Sequence, residues 1–132
     1  LHEIEDLNTF FKKLYKISTN NTIIHLNVPN ANSFHRLLAK SMGIISDVKD
    51  KSEMNKHFQT ERVFDKISLR QEVEKYNFKI LQERSYFIKP FTHKQMQQLI
   101  DNKIIDYRVL EGLFHMLPNT DLGSEILVEF SK

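Results

Sequence analysis

"TIIHLNVPNANSFHRLL", residues 22–38, decides how this chain is read. Residues 22–28 are β-branched and apolar at nearly every position, the pattern of a buried strand covered on both faces by helices. Pro29 cannot donate to a strand ladder, and Asn and Ser hydrogen-bond their own backbone in turns, so "PNANS" ends the strand. Ser33 then stands at an N-cap position, followed by Phe34, Leu37 and Leu38 on one helical stripe, and Gly43 suits the helix exit.

Upstream, "EDLNTFFKKLYKI" sets Leu7, Phe10, Phe11, Leu14 and Ile17 at helical spacing, with Lys12, Lys13 and Lys16 on the other side. A strand following such a helix predicts a parallel α/β layer. Downstream, residues 46–67 are polar and aperiodic, which predicts a mobile lid over the strand ends. "SLRQEVEKY" places Gln71 three residues after Ser68, and "THKQMQQLID" repeats that capping-box spacing with Thr92 and Gln95. "DYRVLEGLFHML" aligns Leu110, Leu113, Phe114 and Leu117 on a further helix. "NFKILQERSYFIKP" reads as a strand, and "GSEILVEFS" alternates Ile126, Val128 and Phe130 against polar neighbours as the last one.

With 132 residues, 40% hydrophobic and 27% charged, the chain reads as one globular domain spanning 1–132. Its net charge of +2 comes from scattered basic residues, which argues against a nucleic-acid surface. There is no cysteine, hence no disulfide framework and no thiolate nucleophile, and the cytoplasm is the default compartment. No apolar run reaches membrane-spanning length, and the six histidines lack any paired-ligand spacing, so neither a membrane nor a metal is expected. Leu1 opens inside patterned sequence, as in a chain cut from something longer.

Taken in order, "LHEIEDL", "IIHLNVPNANSFHRLLAKSMGII", "ERVFD", "YNFKILQERSYFIKPF" and "GSEILVEFS" resemble successive blocks of the class I S-adenosylmethionine-dependent methyltransferases. The resemblance spans nearly the whole chain but only the C-terminal half of that family's domain. It implies part of a Rossmann-like α/β fold: a mixed three-stranded sheet with flanking helices, "GSEILVEFS" lying between the other two strands and antiparallel to both. It also implies methyl transfer from S-adenosylmethionine to a small-molecule acceptor, this half supplying the acceptor pocket. The family's glycine-rich cofactor loop and acidic ribose-binding residue lie before the matching segment, so this chain alone is expected neither to bind the cofactor nor to be active. Where relatives read "GHRRVYD", this chain has "QTERVFD", which keeps Arg62 and Asp65 but puts Thr60 at the His position.

Ligands of open α/β sheets bind beyond the carboxyl ends of the strands, so the resemblance makes Asn27, Asn30, Asn32 and His35 candidates for holding the acceptor. The competing reading is that the asparagines make the turn and His35 faces solvent. His2 is the candidate proton acceptor, with Glu3 orienting its ring or serving as base, against simple exposure at a chain start. Arg62 either pairs with an acidic group of the substrate or bridges to Asp65, and Lys89 reads as a solvated strand end. An apolar strand lacking a neighbour recruits one, so pairing with a second copy or with the missing N-terminal half is expected. The alternative to an enzyme is a noncatalytic α/β module that binds a partner through that free sheet edge.

Overall fold

The computed structural model describes residues 1–50, 62–116 and 121–132. Asp6 accepts a hydrogen bond from the Thr9 amide at 3.0 Å and opens α1, Leu7–Ile17. Strand β1, Ile23–Pro29, follows, then α2, Phe34–Ser41. After the undescribed stretch come α3, Lys66–Glu74, and β2, Lys79–Tyr86. Helices α4, His93–Asp101, and α5, Tyr107–His115, lead to β3, Glu125–Ser131.

Strand β3 lies between β1 and β2 and runs antiparallel to both, the order expected of the closing strand. The expectation of a mixed sheet and a parallel layer is corrected here, because every neighbouring pair is antiparallel. Strands β1 and β2 do run the same way, but they are separated by β3. Outside the strands, Asn30 makes an isolated parallel bridge with Phe64, just before α3.

Alternation of side chains decides which face is buried. Leu7 and Phe11 of α1 and Leu69 and Val73 of α3 pack with Val28, Ile126, Val128 and Phe130 of the sheet to make the core. Phe11 is fully buried and stacks on Tyr76 with ring centroids 4.7 Å apart. On β1 the other face, His25, Asn27 and Pro29, is exposed, which corrects the reading of a strand covered on both sides. That composition belongs to an edge strand whose apolar half alone meets helices.

Two helix starts show how capping works here. Thr92 and Gln95 form the expected capping box. Helix α3 begins earlier than its Ser68 suggested, because Asp65 is the N-cap and Ser68 its N3 partner, with Ser68 N–H to Asp65 Oδ1 at 2.7 Å and Asp65 N–H to Ser68 Oγ at 3.0 Å. Ser33 does occupy the N-cap of α2, but its hydroxyl makes no capping bond.

Residues 51–61 of the expected lid, including Thr60, and Leu117 of the expected stripe on the last helix lie outside the described residues. Both flanks of that lid are fastened. Arg36 donates from Nε to the Val48 carbonyl at 2.7 Å, Lys49 pairs with Asp65 at 2.8 Å, and Phe64 is part of the core.

Candidate functional site

The turn after β1 is a latch. Asn30, 3% exposed, donates from Nδ2 to the carbonyls of Asp121 and Gly123, both at 2.8 Å, and its Oδ1 accepts from the Asn32 amide at 2.9 Å. The Asn30 amide also donates to the Ser124 carbonyl at 2.9 Å. Asn30 thus ties the end of β1 to the start of β3, and its polar atoms are used by the chain itself. Asn32 has an exposed side chain at the same turn. Gly123 lies against the Tyr86 backbone, where a Cβ would fall 2.5 Å from the Tyr86 carbonyl oxygen. Close approach explains that glycine.

Asn27 points out of the sheet on the face away from the core. The register pairs Pro29 with Glu125 and Tyr86 with Glu125, so Glu125 sits in the central strand between both neighbours. Asn27 Nδ2 donates diagonally to Glu125 Oε2 at 3.3 Å. Burial pushes the Glu125 carboxyl above its ordinary range, against the opposing pull of Lys89 and Asn27. Burial likewise pushes the Tyr86 hydroxyl up, with the Glu125 charge adding to it. Lys89 is half-buried and its ammonium is held below the usual lysine value by burial, so it is no solvated strand end.

His35 joins this group from the first turn of α2. Its Nδ1 is buried with no hydrogen-bond partner, and burial, then Lys89 and Arg36, lower its pKa from 6.5 to about 4. The ring is neutral at pH 7 and is not on a solvated helix face. Beside these residues the sheet opens into a groove of about 650 Å³ lined by Arg84, Tyr86, Leu127, Phe114 and His115. The Tyr86 and Phe114 rings meet edge to face at 6.0 Å. That volume is within the range of small-molecule sites.

A second group gathers at the start of the chain. His2 Nε2 lies 3.6 Å from Glu3 Oε1, His2 Nδ1 is buried without a partner, and burial lowers the pKa of the ring. Arg62 is occupied structurally, its guanidinium donating to the carbonyls of Ile4 at 2.5 Å and Glu5 at 2.8 Å, while its amide donates to His2 O at 3.3 Å. Arg62 therefore serves neither as a free cation nor as the partner of Asp65. No hydrogen bond or ion pair among the described residues joins this group to the one around Glu125.

The structure thus sets Asn27 against Glu125, places His35 within electrostatic reach of Lys89, uses Asn30 and Arg62 as struts, and joins His2 and Glu3 to none of these. Glu125, Lys89 and Tyr86 were missed in the sequence. Their signal was an acidic residue at the head of a strand otherwise fit for the centre of a sheet. Among the described residues no helix is long and apolar enough to cross a membrane, and no cluster of His, Cys, Asp or Glu could hold a metal ion. A Cβ at Gly43 or Gly112 would meet nothing within 4 Å, whereas one at Gly123 would meet the Tyr86 backbone. No family model matches the chain, and no curated protein matches it.

Proposed function

We propose that the chain is the acceptor-side half of a class I methyltransferase, holding a small molecule that receives a methyl group from S-adenosylmethionine. The observation that carries this reading is the sheet order β1-β3-β2 with β3 reversed against both neighbours, which the resemblance implies for the last three strands. A helix-to-strand fold with that closing strand is what the sequence blocks require in this order.

Under this reading S-adenosylmethionine is held by the family's N-terminal half rather than by these residues. What they supply is placement. Asn27, Glu125, Tyr86, Lys89 and His35 converge at the strand ends, and fixed placement of an acceptor is the main source of rate in such transfers. The neutral ring of His35 keeps a buried nitrogen without a partner and is the candidate on this side for taking the acceptor's proton.

The test uses the gene product that contains these residues, labelled S-adenosylmethionine and a metabolite extract. Label in a small molecule, reduced at least tenfold by Glu125→Gln, is expected; no transfer with any extract fraction overturns the reading.

One observation favours a different role. Ile23 is 66% exposed, and β1 has no strand neighbour on its outer side among the described residues. A noncatalytic module that pairs with a partner strand there fits this edge. Substituting Pro for His25 on β1 would abolish partner capture under that reading while leaving acceptor binding in place.

A further inference from the structure

On the sheet face away from the core, Gln82, Arg84 and Tyr86 of β2 stand opposite Glu129, Leu127 and Glu125 of β3. Arg84 therefore has an acidic residue diagonally on either side of it, yet pairs with neither. Both carboxylates are engaged by the other neighbouring strand: Glu125 accepts from Asn27 Nδ2 at 3.3 Å, and Glu129 lies 3.4 Å from His25 Nδ1. Glu83, next to Arg84 in the chain, is taken by Lys66 at 3.6 Å and by Arg70. The Arg84 guanidinium is left with no hydrogen bond or ion pair among the described residues. It lines the groove of about 650 Å³ together with Gln82, Tyr86, Phe114, His115 and Leu127. Leu127 is buried there, and the other apolar surface is aromatic: Phe114 meets Tyr86 edge to face at 6.0 Å and His115 at 5.5 Å. Phe114 nevertheless keeps half of its surface in water.

Building on the acceptor-side reading, we infer that this groove takes an aromatic carboxylate of one or two rings, its ring against Tyr86 and Phe114 and its carboxylate on Arg84. A guanidinium presents a planar fork that matches a carboxylate through two parallel, charge-assisted hydrogen bonds. One unpaired cation suits a monoanion, because a dianion such as a phosphate monoester would leave excess negative charge on a face that already carries Glu125 and Glu129. An aromatic ring suits the rest of the groove better than an aliphatic chain of the same area. It gains edge-to-face or offset-stacked contact beyond the burial itself, and it covers the half of Phe114 that faces water. The groove shares Tyr86 with the group around Glu125, which ties the ring's position to the strand ends where the acceptor is held.

The experiment is an NMR titration of the isotope-labelled 132-residue chain, without cofactor, with benzoate and naphthoate. Each acid is compared with its methyl ester and with cyclohexanecarboxylate. Saturable amide shifts centred on residues 82–86, 114–115 and 127 are expected for at least one acid. Affinity is expected to fall about tenfold in the ester, which offers no charge to Arg84, and about threefold in cyclohexanecarboxylate, which offers no ring face. Arg84→Gln is expected to weaken the acid about tenfold and leave the ester as it was, a split that damage to the fold would not produce. Phe114→Leu should narrow the preference for the aromatic acid, and Lys12→Ala, exposed on α1 at the core face of the sheet, should change nothing. Shifts centred elsewhere, equal affinity for acid and ester, undiminished acid binding in Arg84→Gln, or no saturation by either acid overturns the inference. If Arg84→Gln does not fold, the acid and ester comparison on the native chain still decides. Because no cofactor is present, failure here with methyl transfer intact removes this substrate class alone. Binding without methyl transfer removes the methyltransferase reading alone.

Discussion

Replacing Asn30 by Ala separates a structural latch from a ligand contact. The side chain makes three hydrogen bonds, two donated to the Asp121 and Gly123 carbonyls and one accepted from the Asn32 amide. A hydrogen bond is worth about 1 kcal/mol net, and more where its loss strands a buried group. The Gly123 carbonyl is buried and would be stranded, whereas Asp121 is exposed and water would replace the lost donor there. The sum is about 2.5 kcal/mol. An unfolding entropy of about 2.1 cal/mol/K per residue over the chain makes 1 kcal/mol equal to about 3.6 °C, so the melting temperature falls by about 9 °C. Asn30→Asp tests the direction of the bonds, since a carboxylate would face two carbonyl oxygens and the loss would exceed that of Ala. Circular dichroism melts and urea titrations of the native chain and both variants measure this. An Asn30→Ala protein melting within 2 °C of the native one, or an Asn30→Asp protein as stable as it, would refute the latch.

Gly123→Ala presses a methyl group into the Tyr86 backbone, which cannot step aside as a side chain can, so a loss of about 3 kcal/mol or more is expected in urea titration. Phe11→Ala empties a fully buried site stacked on Tyr76 and should cost about 3–5 kcal/mol by the same measurement. His35, lowered from 6.5 to about 4, binds its proton more readily in the unfolded chain, so its contribution is complete above pH 6.5 and is lost as pH falls towards 4. The full conversion is about 3.4 kcal/mol, and partial exposure of the ring reduces it to about 1–2 kcal/mol. Glu125 acts in the opposite sense, its raised value favouring the folded state as it becomes protonated, so the measurement is the difference between native and His35→Gln urea midpoints at pH 7 and pH 4.5. A variant with the native acid sensitivity would show that His35 is not the group. Arg62→Ala releases the carbonyls of Ile4 and Glu5 and should speed amide exchange across residues 1–5 at least tenfold, with Arg62→Lys recovering only part of it.

Much of the fold was legible because its signals are local. Helical spacing of Leu7, Phe10, Phe11 and Leu14, the turn chemistry of "PNANS", the Thr92–Gln95 capping box and the alternation of Ile126, Val128 and Phe130 each depend on near neighbours in the chain. They placed all three strands, and the family blocks set the expected strand order. What they left open concerns groups brought together from afar. Whether β1 is covered on one face or two depends on where α1 and α3 land, and both landed on the Val28 side. Asn30 could make a turn or face a ligand, and that choice was settled by carbonyls 91 and 93 residues further along the chain. Glu125 and Lys89 looked like the polar ends of two separate strands. Only the register sets Glu125 between Pro29 and Tyr86, and only packing half-buries both Glu125 and Lys89, because the free energy of a charge depends on the water and the charges around it, and these are fixed by tertiary packing rather than by spacing along the chain.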